Sequence, residues 1–275
     1  MTCRTATAEE VALMLDWAAA EGWNPGLDDA AAFHAADPEG FFMAEADGEA
    51  VAAISVVNHA KDFAFLGLYL CRPDFRGKGI GYALWKHALD HAGDRTVGLD
   101  GVAAQQANYA RSGFVLTGAT RRFEGSLDGA AHGHITPATG EDLDTLAQLD
   151  AAANGVDRPR FAAAWFAKAP DRETVVLRGL ARIEGFATLR RCREGVKIGP
   201  VVADSAEDAL ALIRAGLGAV PAERVIIDLP AANAKLAAQL ANLGFAVTFE
   251  TARMYRGPAP VPGPSLQAIA TMELG

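Results

Sequence analysis

Residues 65–92, FLGLYLCRPDFRGKGIGYALWKHALDHA, constrain this chain more than any other stretch. An apolar run reads as a strand, Pro73 opens a turn, and Gly77, Gly79 and Gly81 alternate through a loop. Ile80, Leu84, Ala88 and Ala92 then recur at four-residue intervals, which is the buried stripe of a helix. A helix entered through glycines has first-turn amides with no intrahelical acceptor, and the positive end of its dipole points at the same spot. Strand, glycine loop and helix therefore form an anion cradle, most simply for phosphate. They also demand that helices pack as layers on a sheet, so the fold class is α/β.

Upstream, Thr7 and Glu10 stand in capping-box spacing before an apolar-periodic helix over residues 7–20, broken by EGWNPG. A short helix over residues 27–36 follows, then strands at 41–46 and 50–57 joined across Asp47-Gly48, a hairpin signal. After the glycine-loop helix come a strand at 96–99, a helix at 105–111 closed by Ser112-Gly113, and a strand at 114–117. The glycine-rich segment 125–133 marks a boundary between a unit of residues 1–128 and one of residues 134–275.

The second unit repeats the first. Helices at 142–153 and 161–167, strands at 174–177, 181–189 and 196–202, a helix at 207–217, a strand at 225–229 and a helix at 232–243 run in the same order. The helix exits match: Ser112-Gly113-Phe114 against Leu243-Gly244-Phe245, with Arg122 and Arg253 each nine residues past the glycine, in RRFEG and RMYRG. This is an internal duplication. Where the first copy has RGKGIG the second has VADSAED, which offers no phosphate cradle, so one active site per chain is expected. The alternation of Leu266, Ala268, Ala270, Met272 and Leu274 predicts a half-buried final strand.

A formal net charge of −9 argues against nucleic acid or an anionic membrane surface as partner. No run of about 18 apolar residues and no signal-peptide layout occur, so a cytoplasmic protein is expected. Cys3, Cys71 and Cys192 are odd in number and lack metal-ligand spacing, so no metal site is indicated.

Three phosphate motifs compete for Arg76-Gly77-Lys78-Gly79-Ile80-Gly81. A P-loop needs Ser or Thr after its lysine, and Gly79 stands there. A dinucleotide fingerprint would use Asp100 on a ribose, but the glycines alternate as GxGxG. The third pattern, Arg-x-x-Gly-x-Gly after a strand and a proline, resembles that of the GNAT acetyltransferases, with Pro73, Arg76, Gly79 and Gly81 at its fixed positions. Tyr109-Ala-Arg-Ser-Gly113-Phe114 resembles a second motif of the same superfamily. The segments GWNPG, LDGVAAQQANYARSGF and RMYRGP resemble its two-domain, YitH-like branch, which implies a tandem GNAT-like mixed-sheet fold with a degenerate second copy.

The resemblance implies that Arg76, Gly77, Lys78, Gly79, Ile80 and Gly81 bind the pyrophosphate of acetyl-CoA, and that the Tyr109 hydroxyl protonates the departing thiolate. The asparagine many of these enzymes carry on the preceding strand has no counterpart; Gln105 or Gln106 stands closest. If acetyl-CoA is the acyl donor, the backbone amides at Leu70 and Cys71 would meet the developing oxyanion wherever that strand splays from its neighbour. The acceptor amine, charged at neutral pH, needs a base. Glu45, His59, Asp62 and Asp100 lie near strand ends, with Asp100 preferred because its strand adjoins the glycine-loop strand; Cys71 reads as a small buried thiol. Trp23 and Asn24 would line the acceptor pocket, with the second copy forming a groove wall or a pseudo-dimer partner, for which its tail Arg253–Tyr255 and the final strand are the candidates. The expected activity is acetyl transfer to a primary amine of a small molecule by direct attack, in a monomer or homodimer. A non-catalytic acyl-CoA-binding sensor is the alternative.

Overall fold

The computed structural model describes residues 1–275. The elements are β1 (Thr2–Thr5), α1 (Ala8–Ala20), α2 (Asp29–Ala36), β2 (Phe41–Ala46), β3 (Glu49–Asn58), β4 (Phe63–Cys71), α3 (Ile80–Ala92), β5 (Thr96–Gly101), α4 (Gln106–Arg111) and β6 (Val115–Gly125) in the first half. The second half has β7 (Ile135–Pro137), α5 (Leu143–Asn154), α6 (Pro159–Phe166), β8 (Arg172–Arg178), β9 (Ile183–Arg191), β10 (Val196–Ala203), α7 (Ala206–Ala219), β11 (Val225–Pro230), α8 (Ala234–Asn242), β12 (Ala246–Arg256) and β13 (Leu266–Ala268). Local chemistry accounts for many ends. Thr7 and Glu10 form the reciprocal capping box of α1, and Asp47 and Gly48, both at positive φ, turn the β2–β3 hairpin. The short β1 and β7 carry too few residues for a periodic signal.

All thirteen strands belong to one sheet, ordered β1-β2-β3-β4-β5-β12-β6-β11-β10-β9-β8-β7, with β13 added on β10. The order shows that the halves exchange a strand. The long β12 of the second half lies against β5 of the first, from Ala252 opposite Gly101 to Arg256 opposite Val97. In return β6 of the first half lies against β11, from Val225 opposite Gly125 to Pro230 opposite Thr120. The two exchanged strands then pair with each other. The two exchanged strands thus carry the sheet from one half into the other twice.

Alternation along the strands sends side chains to two helix layers. Phe41 and Met43 of β2 join a core shared by α1, α2, α5 and α6, which includes Met14, Phe33, Leu146, Phe161 and Trp165 from both halves. Phe42 and Ala44 face the opposite way, onto Leu84, Trp85 and Ala88 of α3. A separate core packs α7 and α8 on β8–β11. Buried Asp29 fastens the halves: it pairs with Arg172 at 3.1 Å and with Arg190. Burial pushes its carboxyl pKa up, and the two guanidinium groups more than reverse this.

The end of the chain departs from the expected half-buried strand. Only Leu266–Ala268 is extended, and residues 266–275 are buried at every position, polar Gln267, Thr271 and Glu273 included. The segment has no solvent face because it threads between the halves.

Candidate active site

Strands β4 and β5 pair in parallel from Phe63 opposite Thr96 to Leu66 opposite Leu99, and then part. A bulge against β3 falls at this point, with Leu68 at φ 46°. Residues from Gly67 to Cys71 therefore have no partner on the β5 side. A cavity of about 760 Å³ opens there, walled by β4, the glycine loop, the end of β5 and parts of β6 and β12. Leu70 and Cys71 line it; the Arg72 amide donates to the Val51 carbonyl at 2.9 Å, so by alternation along the ladder the Leu70 amide also faces β3 and the Cys71 amide faces the open side.

The cradle has the expected form. Gly77 and Gly79 hold φ of 75° and 79°, which disfavours a side chain, and α3 starts at Gly79 without a side-chain cap. A Cβ on Gly81 would lie 2.6 Å from the Tyr69 hydroxyl oxygen, so only glycine leaves that approach open. The equivalent helix of the second half, α7, is closed by Ser205, whose hydroxyl accepts from the Asp208 amide at 3.0 Å. The first-turn amides of α3 meet no side-chain cap; those of α7 are partly satisfied by the protein itself. Arg76 donates to the Cys71 carbonyl at 2.8 Å and pairs with Glu21 at 2.5 Å, which ties the loop to the end of α1. The Ile80 side chain is buried in the core and the Lys78 ammonium lies 5.0 Å from the Phe75 ring centre, so neither side chain forms the cavity wall.

Tyr109 reaches the cavity from α4, its ring stacked on Trp85 at 5.4 Å. Burial, with a smaller contribution from Tyr69, raises its pKa well above the ordinary phenol value, so the hydroxyl keeps its proton and can donate it. Tyr69 sits on the same wall, edge-on to Trp85 at 5.3 Å, and sequence reasoning missed it. Its alternation with Gly67 and Cys71 along the strand was the available signal. Gln105 also lines the cavity, whereas Gln106 does not. Burial raises the Cys71 pKa, which keeps it a thiol.

Asp100 lines the cavity but is not placed to act as the base. Its fully buried carboxylate accepts from Arg253 Nε at 3.0 Å and Nη2 at 2.7 Å, and from the hydroxyls of Thr120 and Thr251 at 3.2 and 3.3 Å. Three of these donors converge on Oδ1 and one reaches Oδ2, which holds the carboxylate in the cross-strand pair. The duplication explains why it is there. Asp228 occupies the matching position on β11 and takes both Arg122 donors at 2.8 Å. Each pair is directly cross-strand, Arg253 opposite Asp100 and Arg122 opposite Asp228, and each joins one half to the strand received from the other. Because the half without a cradle has the same pair, its role is to seat the exchanged strand.

The other candidate bases also fall away. His59 is buried with its pKa lowered to about 3, chiefly by desolvation and then by Arg158, and its Nε2 lies 2.8 Å from the Leu274 carbonyl oxygen. Glu45 is paired with Arg4, and Asp62 lies outside the cavity wall. Of the two residues expected at the acceptor pocket, Trp23 lies on the cavity wall. Asn24 does not: its side chain donates to the Glu194 carbonyl at 2.8 Å and accepts from the Glu194 amide at 3.3 Å, joining the halves instead. Sequence reasoning missed Arg122, Glu124 and Phe249, which enter the wall only because β6 and β12 come together there; the final strand, a candidate groove wall from sequence, supplies Met272 and Glu273, which sequence did not single out.

Known proteins carry the same two-part organisation. A sequence model described as "Acetyltransferase (GNAT) family" matches residues 9–114, and one described as "Acetyltransferase (GNAT) domain" matches residues 146–269. The holothin acyltransferase of Pseudoalteromonas sp. (strain SANK 73390) is 34% identical over 278 residues, spanning 100% of this chain and 94% of its own. The chain belongs to the GNAT acyltransferases. Among solved structures, a protein of Pyrococcus horikoshii covers 100% of this GNAT chain and 95% of its own at TM-score 0.81 and 21% identity. A tandem GNAT protein from the clavulanic acid biosynthesis pathway covers 94% and 99% at TM-score 0.62 and 17% identity. This GNAT is thus a tandem acyltransferase with a mixed α/β sheet, and no helix of it is long and apolar enough to cross a membrane.

Proposed function

We propose that this acyltransferase moves an acetyl group from acetyl-CoA to a primary amine of a small molecule, by direct attack, at a single site in the first half. The observation that carries this reading is the convergence on one cavity of the glycine-loop amides, the unpaired stretch of β4 and the Tyr109 hydroxyl. Residues 77–81 bind the pyrophosphate and direct the pantetheine arm along β4. The thioester carbonyl then lies beside Leu70 and Cys71, where the Cys71 amide on the open side of β4 takes up negative charge as the amine adds. Tyr109 gives its proton to the thiolate that departs. The full-length relative carries the name holothin acyltransferase, which supports acyl transfer as the reaction class.

Release of free thiol from acetyl-CoA across a panel of small primary amines tests the reading, with binding followed separately by calorimetry. Tyr109→Phe should lower kcat by about 10²–10⁴-fold with acetyl-CoA affinity preserved. Unchanged turnover in that variant removes Tyr109 from its role. Tight acetyl-CoA binding without turnover of any amine replaces the transferase by an acyl-CoA sensor.

A further inference from the structure

Four carboxylates line the cavity, and three are engaged. Glu21 is paired with Arg76, Asp100 with Arg253, and Glu124 with Arg224 at 2.7 Å. Glu273 alone makes no ion pair. Its side chain receives one hydrogen bond, from the Thr271 hydroxyl to Oε2, while the same Thr271 oxygen accepts from the Glu273 amide at 3.1 Å. This clasp fixes the rotamer and leaves Oε1 without a protein donor on a residue only 6% exposed. Trp23, Leu66, Phe249 and Met272 share the wall with it, as do Arg122 and Thr251.

The second half explains how Glu273 reaches this place. Strands β10 and β11 pair in parallel from Val196 opposite Val225 to Ile198 opposite Ile227 and then part at Gly199, as β4 and β5 part at Gly67. In the second half that cleft is filled by the chain itself. β13 pairs with β10 beyond the bulge, the Ile269 amide donates to the Asp228 carbonyl at 3.0 Å, and a Cβ on Gly199 would lie 2.0 Å from the Ile269 carbonyl oxygen. Continuing, the segment meets the matching glycine of the first half: a Cβ on Gly67 would lie 2.0 Å from the Glu273 carbonyl oxygen. The two glycines are the two points at which the segment crosses the sheet. The cleft that would hold a cofactor in the second copy instead anchors the strap that places Glu273 at the working cleft of the first.

We propose that Glu273 receives the ammonium group of the acceptor and is the base of the reaction, with the degenerate second half serving to hold the strap that presents it. The proposal rests on the acetyl-transfer reading above. The Glu273 carboxylate takes one proton from the ammonium, and the freed nitrogen pair forms the N–C bond at the thioester carbonyl. The C–S bond breaks with its electron pair on sulfur, and the thiolate takes the Tyr109 proton. The new amide nitrogen gives up its second proton to restore Tyr109, and Glu273 passes its own to water. The charged groups facing Glu273 are Arg122, held by Asp228, and Lys197, whose ammonium donates to the Trp23 carbonyl at 2.7 Å.

The test uses the full chain with acetyl-CoA and benzylamine, phenethylamine or 1,4-diaminobutane, following thiol release from about pH 6 to about pH 10, where the amine loses its own proton. Glu273→Gln should reduce kcat/KM about 10²–10⁴-fold at neutral pH, with the deficit shrinking as solvent supplies free amine. Its affinity for acetyl-CoA should equal that of the wild type. Glu273→Asp, which keeps the charge on a shorter arm, should retain the wild-type pH profile at reduced rate and covers the case in which the glutamine variant folds poorly. A glutamine variant with wild-type rates, or one slowed equally at every pH, overturns the assignment of Glu273 while acetyl transfer stands. A wild-type chain that turns over none of these amines overturns the acetyl-transfer reading and the base with it.

Discussion

Arg253→Met probes the exchanged strand most directly. In the folded protein the Asp100 side chain is 0% exposed and Arg253 18%, so the substitution leaves a buried carboxylate with only the hydroxyls of Thr120 and Thr251. Methionine keeps most of the apolar stem, so the loss is electrostatic and not a cavity. Breaking one partner from a buried pair costs about 3–5 kcal/mol. A domain stability of about 5–15 kcal/mol makes that a large fraction. The penalty carries a definite pH dependence. Burial already raises the Asp100 pKa, against the opposing pull of Arg253 and the two threonines, and removing Arg253 raises it further. Protonated Asp100 has no charge to desolvate, so the variant's deficit is small below the unfolded carboxylate pKa of about 4 and grows as pH rises through the folded value. Equilibrium urea unfolding by circular dichroism, at mildly acidic and at slightly alkaline pH, measures both. Asp100→Asn added to Arg253→Met should recover about 1–3 kcal/mol at the higher pH, since it removes the stranded charge. An Arg253→Met variant within about 1 kcal/mol of wild type at neutral pH would refute the view that this pair seats β12.

Gly81→Ala places a Cβ 2.6 Å from the Tyr69 hydroxyl oxygen and narrows the cradle mouth, so calorimetry should show weaker acetyl-CoA binding, partly restored by Tyr69→Phe. Gly67→Ala drives a Cβ into the Glu273 carbonyl, a backbone atom that cannot move aside; urea unfolding should show a loss of about 1–3 kcal/mol, and turnover should fall with it. Residues 1–128 expressed alone lack β12 beside β5 and should aggregate through that open edge, while co-expression with residues 129–275 should recover soluble protein by gel filtration.

What the sequence determined by itself is local. Alternating glycines, a proline turn and a four-residue apolar period specify the α3 cradle because short-range sterics and unsatisfied amides need no distant partner; the capping box of Thr7 and Glu10 and the Asp47-Gly48 hairpin follow the same logic. Tyr109 was legible because its motif lies within one turn of helix and its exit glycine. The tertiary structure decided where β6 and β12 pair. Two copies of one unit present equivalent strand edges, and RRFEG and RMYRG carry equivalent arginines, so pairing within a copy and exchange between copies look alike from sequence. Only the packed halves select exchange, through Arg122 with Asp228 and Arg253 with Asp100, and that choice turns Asp100 from the expected base into a structural carboxylate. Glu273 was hidden for the same reason. In Met272-Glu273-Leu274 it reads as the solvent side of an alternating strand, and it becomes a lone cavity carboxylate only when the strap fills the second cleft and crosses the sheet at Gly67.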